Sequence, residues 1–174
     1  MMFEANNHFA LLGLPVQFEI DTDTLQSNYR KIQSEVHPDK FVTASPAERL
    51  QSMQSATLAN EAFQTLKHPT SRARYLLQLQ GIETLEDSNT AMPADFLMMQ
   101  MEWREAMEDA QLAKDITALE HLLSTMKNEA KAMQTVLADV IVNDPNTAAQ
   151  IVRKLSFIDK VSADVQHIIS RLED

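Results

Sequence analysis

The chain has 174 residues, of which 44% are hydrophobic, enough to bury the core of one ordinary domain or two small ones. Its 15 basic and 25 acidic residues give a formal net charge of −10, so we expect no general affinity for nucleic acid or an anionic membrane. Cysteine is absent, which excludes disulfides, thiolate catalysis and zinc or iron–sulfur clusters held by cysteine.

The first half of the chain is predicted to consist of helices. One covers residues 23–36, where apolar side chains recur at helical spacing. The next begins at Ser45, which can form a capping box with Glu48, and runs to about Lys67. A shorter helix closes at Gly81. The apolar side of the helix that begins at Ser45 is predicted to contain Leu50, Ala59, Ala62, Phe63 and Leu66.

The segment 81–92 has no helical stripe and many polar side chains, as is typical of a linker. The halves on either side differ in charge, with a balance of −2 for residues 1–83 and −8 for residues 84–174. We therefore predict an all-α chain with two domains, 1–80 and 93–174.

Three longer helices are predicted in the second half, over residues 93–112, 115–142 and 145–172, with Asp144 as the N-cap of the last. This pattern predicts a three-helix bundle with two long antiparallel helices. The facing seam is predicted to contain Leu119, Leu122, Met126, Met133, Val136, Leu137, Val140, Ile151, Leu155, Ile158, Val165, Ile169 and Leu172.

The loop after the predicted helix 23–36 carries the tripeptide His37-Pro38-Asp39. Proline fixes its own φ and makes the preceding residue extended, so an imidazole and a carboxylate project from a stiff turn. Such a turn loses little entropy on binding a partner. It is either a polar helix–helix turn or a binding site, and a third interpretation makes His37 a general base oriented by Asp39.

A catalytic site would also need a nucleophile and an oxyanion or metal site. The sequence has no G-x-S-x-G, no H-E-x-x-H and no glycine-rich loop, so we expect no enzyme. The other histidines, His8, His68, His121 and His167, show no metal-like pairing and are expected at the surface or in caps. We expect neither a metal nor a cofactor.

The predicted helix 93–112 carries large apolar side chains in two sectors. At about 100° per residue, Phe96 falls in the core stripe, whereas Leu97, Met98 and Met101 fall on the opposite side among acidic residues. Methionine adapts well to a partner surface, so this face is predicted to bind another protein. The alternatives are that a neighbouring helix covers these side chains or that they are scattered surface residues.

Beyond the tripeptide, a wider pattern is present. His37, Pro38, Asp39, Lys40 and Phe41 are followed by Asn60, Ala62, Phe63 and Leu66, and then by Pro69, Arg72 and Ala73. This order resembles the J-domain of DnaJ-type co-chaperones. The resemblance implies that the tripeptide contacts a DnaK-type ATPase chaperone and triggers its ATP hydrolysis, assisted by the basic residues Arg30, Lys31 and Lys40. This basic face is thinner than in generalist J-domains, so we expect a specialised chaperone partner.

Residues 75–81, 96–98 and 152–160 extend the resemblance over essentially the whole chain, which looks like the HscB family of J-type co-chaperones in bacterial iron–sulfur cluster biogenesis. This implies that the tripeptide engages the chaperone HscA and that the C-terminal domain binds the scaffold protein IscU. By position, the IscU-binding residues are Leu97, Met98, Met101, Glu102, Arg104, Glu105 and Phe157.

Phe157 rests on the resemblance alone, because it shares a helix face with Val161 and Ile168 and could equally belong to the core. Two other functions stay open, a J-domain co-chaperone for a different client and a non-catalytic helical interaction protein. The N-terminus has neither the basic start nor the apolar run of a secretory signal. We therefore expect a cytoplasmic protein, either a monomer or a weak dimer.

Overall fold

The computed structural model describes residues 7–84 and 92–174 and divides the chain into two compact units, Met1–Leu79 and Gln80–Asp174. The described residues form seven α-helices and no strand, which confirms the all-α prediction. None of these helices is both long and apolar enough to cross a membrane. The helices are α1 (His8–Leu11), α2 (Thr22–Val36), α3 (Pro46–Lys67), α4 (Pro69–Leu79), α5 (Ala94–Ala113), α6 (Ile116–Val140) and α7 (Pro145–Glu173), with a 3₁₀ turn, Pro38–Phe41, between α2 and α3.

The helix starts follow the predicted capping chemistry. The backbone N–H of Glu48 donates to Ser45 Oγ (3.2 Å), and the N–H of Ser45 donates to Glu48 Oε2 (2.9 Å), so the predicted capping box is confirmed. The Ser45 donors lower the pKa of the Glu48 carboxyl. Asp144 caps α7, as predicted, by accepting from the backbone N–H of Thr147 (3.3 Å). Both caps satisfy donors that the first turn of a helix leaves free.

In the N-terminal unit, α3 packs against α1, α2 and α4. Its buried side continues from Ala62 through Ala59 and then through two serines, Ser55 and Ser52. Leu50, predicted on this side, is exposed, and that prediction was wrong. The reason is geometric, because residue 50 lies about 170° round the helix from the centre of the buried stripe.

The ends of the N-terminal unit close on each other at Tyr75. Its ring lies 4.4 Å from the His8 ring and 5.9 Å from the ring of the fully buried Phe9. The backbone N–H of His8 donates to the Tyr75 hydroxyl (2.9 Å). Partial burial lowers the pKa of His8, an effect opposed by the charge of Glu61.

The C-terminal unit is a bundle of α5, α6 and α7. Its core includes the buried residues Trp103, Leu119, Met126 and Val165. Val136, predicted in the α6–α7 seam, is about half exposed instead, because it lies at the outer edge of the stripe that Leu137 buries. The other seam residues are buried or partly buried: Leu119, Leu122, Met126, Met133, Leu137, Val140, Ile151, Leu155, Ile158, Val165, Ile169 and Leu172.

The end of α5 is closed by the backbone. Lys114 takes the left-handed conformation (φ 53°), and its N–H donates to the carbonyl of Gln111 (3.1 Å). The N–H of Asp115 donates to the carbonyl of Ala110 (2.9 Å). This pair of bonds satisfies the last carbonyls of the helix and fixes its final turn.

Candidate functional site

The His-Pro-Asp turn (His37, Pro38 and Asp39) projects into solvent at the end of α2. The side chain of His37 is 58% exposed and that of Asp39 is 87% exposed. His37 is extended (φ −60°, ψ 133°), as the following proline requires. The N–H of Lys40 donates to the carbonyl of His37 (3.0 Å), so the backbone of the turn is closed by a hydrogen bond.

The two polar side chains of the turn are held side by side. Nδ1 of His37 accepts from the backbone N–H of Asp39 (3.2 Å) and lies 3.4 Å from Asp39 Oδ2. Because Nδ1 accepts this backbone bond, the donor of the His37 ring is Nε2–H. The turn therefore presents an N–H donor beside a carboxylate acceptor.

A buried hydroxyl braces the residue before the turn. Ser52 is 4% exposed, and its Oγ donates to the carbonyl oxygen of Val36. Both residues line a cavity of about 320 Å³ between the end of α2 and α3, together with Phe41 and Ser55. Ser52 was not among the residues predicted to matter here. Its position on the stripe of Ala59 and Ala62 was the available signal, because a serine there is buried and needs a partner.

The basic residues predicted to assist the turn, Arg30, Lys31 and Lys40, are all exposed. The inner side of α2 is fixed by Tyr29, whose ring stacks on Phe63 (centroids 4.1 Å apart). The Tyr29 hydroxyl also bonds Oδ1 of Asn60 (3.1 Å). Two residues of the pattern that resembles a J-domain, Asn60 and Phe63, therefore contact α2, the helix that ends at the turn.

The second candidate site lies on α5. Leu97, Met98 and Met101 are 45%, 63% and 71% exposed, so the prediction that they lie outside the core is confirmed. The same face carries exposed Glu102 and Glu105. We define the α5 patch by the seven residues predicted to bind a partner: Leu97, Met98, Met101, Glu102, Arg104, Glu105 and Phe157.

Phe157 is partly buried and joins the α5 patch to the core. Its ring meets Phe96 edge to face (centroids 5.9 Å apart), and the Arg104 guanidinium lies 5.5 Å from its ring centre. It also packs against the core cluster that contains Trp103 and Val161. The core interpretation of Phe157 is therefore supported, and its role in partner binding stays a prediction. The structure places it next to Arg104.

One exposed apolar residue of α5 was missed. Leu112 is 84% exposed, the highest value for a large apolar side chain in the described part of the chain. It lies eleven residues after Met101, about three turns, so both point from the same face of the helix. The helical projection that singled out Met101 could have found it.

Within residues 7–84 and 92–174, no group of three or more His, Cys, Asp or Glu side chains is placed to hold a metal ion.

The chain is similar to known proteins over almost its whole length. Residues 92–166 match a family model described as the HSCB C-terminal oligomerisation domain. A protein of Ralstonia nicotianae called co-chaperone protein HscB homolog is 46% identical, over 98% of each chain.

Two solved structures have the same fold. The chaperone HscB from Vibrio cholerae superposes with a TM-score of 0.84 at 39% identity, covering 95% of this chain and 99% of its own. The human co-chaperone protein HscB gives a TM-score of 0.85 at 30% identity, covering 95% of this chain and 83% of its own.

Proposed function

Because the chain belongs to the HscB family of co-chaperones, we propose that it stimulates the ATPase of a DnaK-type chaperone, HscA, and delivers the iron–sulfur scaffold protein IscU to it. The His-Pro-Asp turn contacts HscA, and the α5 patch holds IscU. The chain performs no covalent chemistry of its own, and its role is to bring the two partners together during cluster transfer.

The observation that carries this proposal is that one chain exposes two binding features of opposite character. The N-terminal unit presents a stiff polar turn with His37 and Asp39 adjacent. The C-terminal unit presents large apolar side chains, Met98 and Met101, on an acidic helix face. A protein with a single partner would need only one of them.

The turn suits a partner that must be bound at a defined position. The Nε2–H of neutral His37 donates, the carboxylate of Asp39 accepts, and the closed backbone holds both before binding, so little entropy is lost. Arg30 and Lys31 on α2 add positive charge beside the turn, which steers it towards an acidic surface.

The α5 patch suits a folded partner with an apolar centre and basic surroundings. Burying Met98 and Met101 removes apolar area from water, and the flexible methionine chains adapt to the partner's shape. Glu102 and Glu105 then favour basic side chains around that centre.

Holding both partners on one chain makes the second encounter intramolecular. A scaffold bound at the α5 patch is at high effective concentration near a chaperone bound at the turn. ATP hydrolysis and capture of the scaffold are then coupled without any change in the affinity of either site.

The test is the steady-state ATPase activity of HscA with this protein, with and without IscU. We expect stimulation by the protein alone and a further rise when IscU is added. If the stimulation is the same with and without IscU, the proposed contact with HscA stands and the client is a different protein. An HscA ATPase that the protein leaves unchanged would overturn the proposal.

A further inference from the structure

The exposed face of α5 extends beyond the α5 patch. Leu112 points from the same face as Met101, within roughly 20° round the helix and about 16 Å further along its axis. At 84% exposed, it is more open to solvent than Met98 or Met101. The core side of this part of α5 is filled by other residues, Met107 and Ala110.

The residues between Met101 and Leu112 repeat the chemistry of the α5 patch. Glu105 and Glu108 project between these two apolar side chains, and both are exposed. Asp109 lies beside them and is exposed as well. Exposed acidic side chains therefore continue along this face of α5 from Met101 to a second exposed apolar side chain, Leu112, in the last turn.

The end of the helix is rigid enough to take part in binding. The bonds from Lys114 to Gln111 and from Asp115 to Ala110 fix the final turn through the backbone. The Leu112 side chain takes no part in these backbone bonds, so it is free to contact a partner. The loss of conformational entropy on binding is small because the backbone beneath it is already fixed.

From this continuity we infer that the scaffold-binding surface extends through Glu108 to Leu112, so that the partner covers about two more turns of α5. The inference rests on the proposed function, because the partner is the one bound by the α5 patch. In this proposal Leu112 fills an apolar depression on the surface of the scaffold, and Glu108 faces a basic side chain of the scaffold. The acidic balance of this half of the chain favours such a partner over a second copy, whose α5 face would be equally acidic.

Isothermal titration of IscU into the full-length protein tests this extension. Leu112→Ala should raise the dissociation constant about three- to tenfold, the usual range for a contact of moderate strength. Glu108→Gln should weaken binding less and make it less sensitive to salt. Leu58→Ala is the matched control, since Leu58 is an exposed helical leucine of the N-terminal unit. It should leave the dissociation constant unchanged.

Three outcomes distinguish a failure of this extension from a failure of the proposed function. If Met98→Ala weakens binding and Leu112→Ala does not, the extension is wrong and the α5 patch stands. If wild-type protein does not bind IscU, the proposed function fails first. A change in sedimentation of the free protein on Leu112→Ala, with IscU binding unaltered, would assign the residue to contact with a second copy and overturn the inference. Circular dichroism melts confirm that each variant is folded.

Discussion

The two units present their candidate binding residues in different ways. In the N-terminal unit, a closed backbone turn sets the positions of His37 and Asp39. In the C-terminal unit, the period of α5 places Met98 and Met101 on one face, and nothing in the described residues covers them. A turn depends on every one of its few residues, whereas a face distributes its binding energy over many. We therefore expect all-or-none effects in the first unit and graded effects in the second.

The largest effect is expected from Asp39→Asn in the His-Pro-Asp turn. The amide keeps the shape but loses the negative charge beside His37, and the side chain is too exposed to matter for folding. Stimulation of the HscA ATPase should fall to the basal rate, with an unchanged thermal melt. Normal stimulation by this variant would remove the turn from the proposed mechanism.

A graded loss is expected when the α5 patch is truncated. Met98→Ala combined with Glu105→Ala removes one apolar and one acidic contact, and the affinity for IscU should fall by roughly tenfold or more. Stimulation of HscA in the absence of IscU should stay the same. The control, Val142→Ala with Asp139→Ala, removes an exposed pair of the same kind elsewhere in the C-terminal unit. Equal losses in both double variants would contradict a localised patch.

A smaller effect is expected behind the turn, from Ser52→Ala. This change leaves the carbonyl of Val36 without the hydroxyl that donates to it, which costs about 1–3 kcal/mol in a buried position. The unfolding midpoint of the N-terminal unit should fall, and HscA stimulation should fall several-fold because the turn is less fixed. Ser52→Thr retains the hydroxyl beside a cavity of about 320 Å³, and it should restore stimulation. A Thr variant as weak as the Ala variant would show that packing is the cause.

The smallest effect is a pH dependence of stability, which is expected from His8 in the N-terminal unit and not in the C-terminal unit. Burial lowers the pKa of His8 below 6.5, so the unfolded chain takes up this proton more readily than the folded one. The stabilisation is complete above about pH 6.5 and declines as the pH falls, by less than about 1 kcal/mol for a half-exposed group. Hydrogen exchange of α1 should therefore quicken between pH 7.5 and 5.5, after correction for the intrinsic rate.

Two controls make this pH prediction specific. His8→Gln should remove the pH dependence of exchange in α1. Urea unfolding followed by the fluorescence of Trp103, the one tryptophan of the chain, reports on the C-terminal unit and should show no such shift from His8. A pH dependence that persists in the Gln variant would place its origin in another group.

Local rules were enough to predict much of this molecule. The capping box of Ser45 and Glu48 and the cap at Asp144 follow from short-range chemistry, and the bounds given for the predicted helices lie within two residues of those observed. The short helix α1 was not predicted. The exposure of Met98 and Met101 followed from angular arithmetic on one helix. In each case the decisive contact lies within a few residues along the chain.

The errors have two origins. Leu50 was assigned to the core because it is apolar, although the helical projection of α3 places it opposite the buried stripe that contains Ser52 and Ser55. Val136 lies at the edge of its stripe, where a projection gives the direction of a side chain but not how far a second helix covers it. The bond from Ser52 to Val36 joins residues 16 positions apart and could not be predicted from either helix alone.

The closure of the N-terminal unit at Tyr75 has a consequence for its synthesis. His8 and Phe9 reach their final contacts only when Tyr75 has been made, 67 residues later. At about 5–20 residues per second, the ribosome needs roughly 3–13 s for that stretch. Throughout this interval Phe9 lacks the ring of Tyr75, so this segment reaches its final packing only after most of its unit has been made.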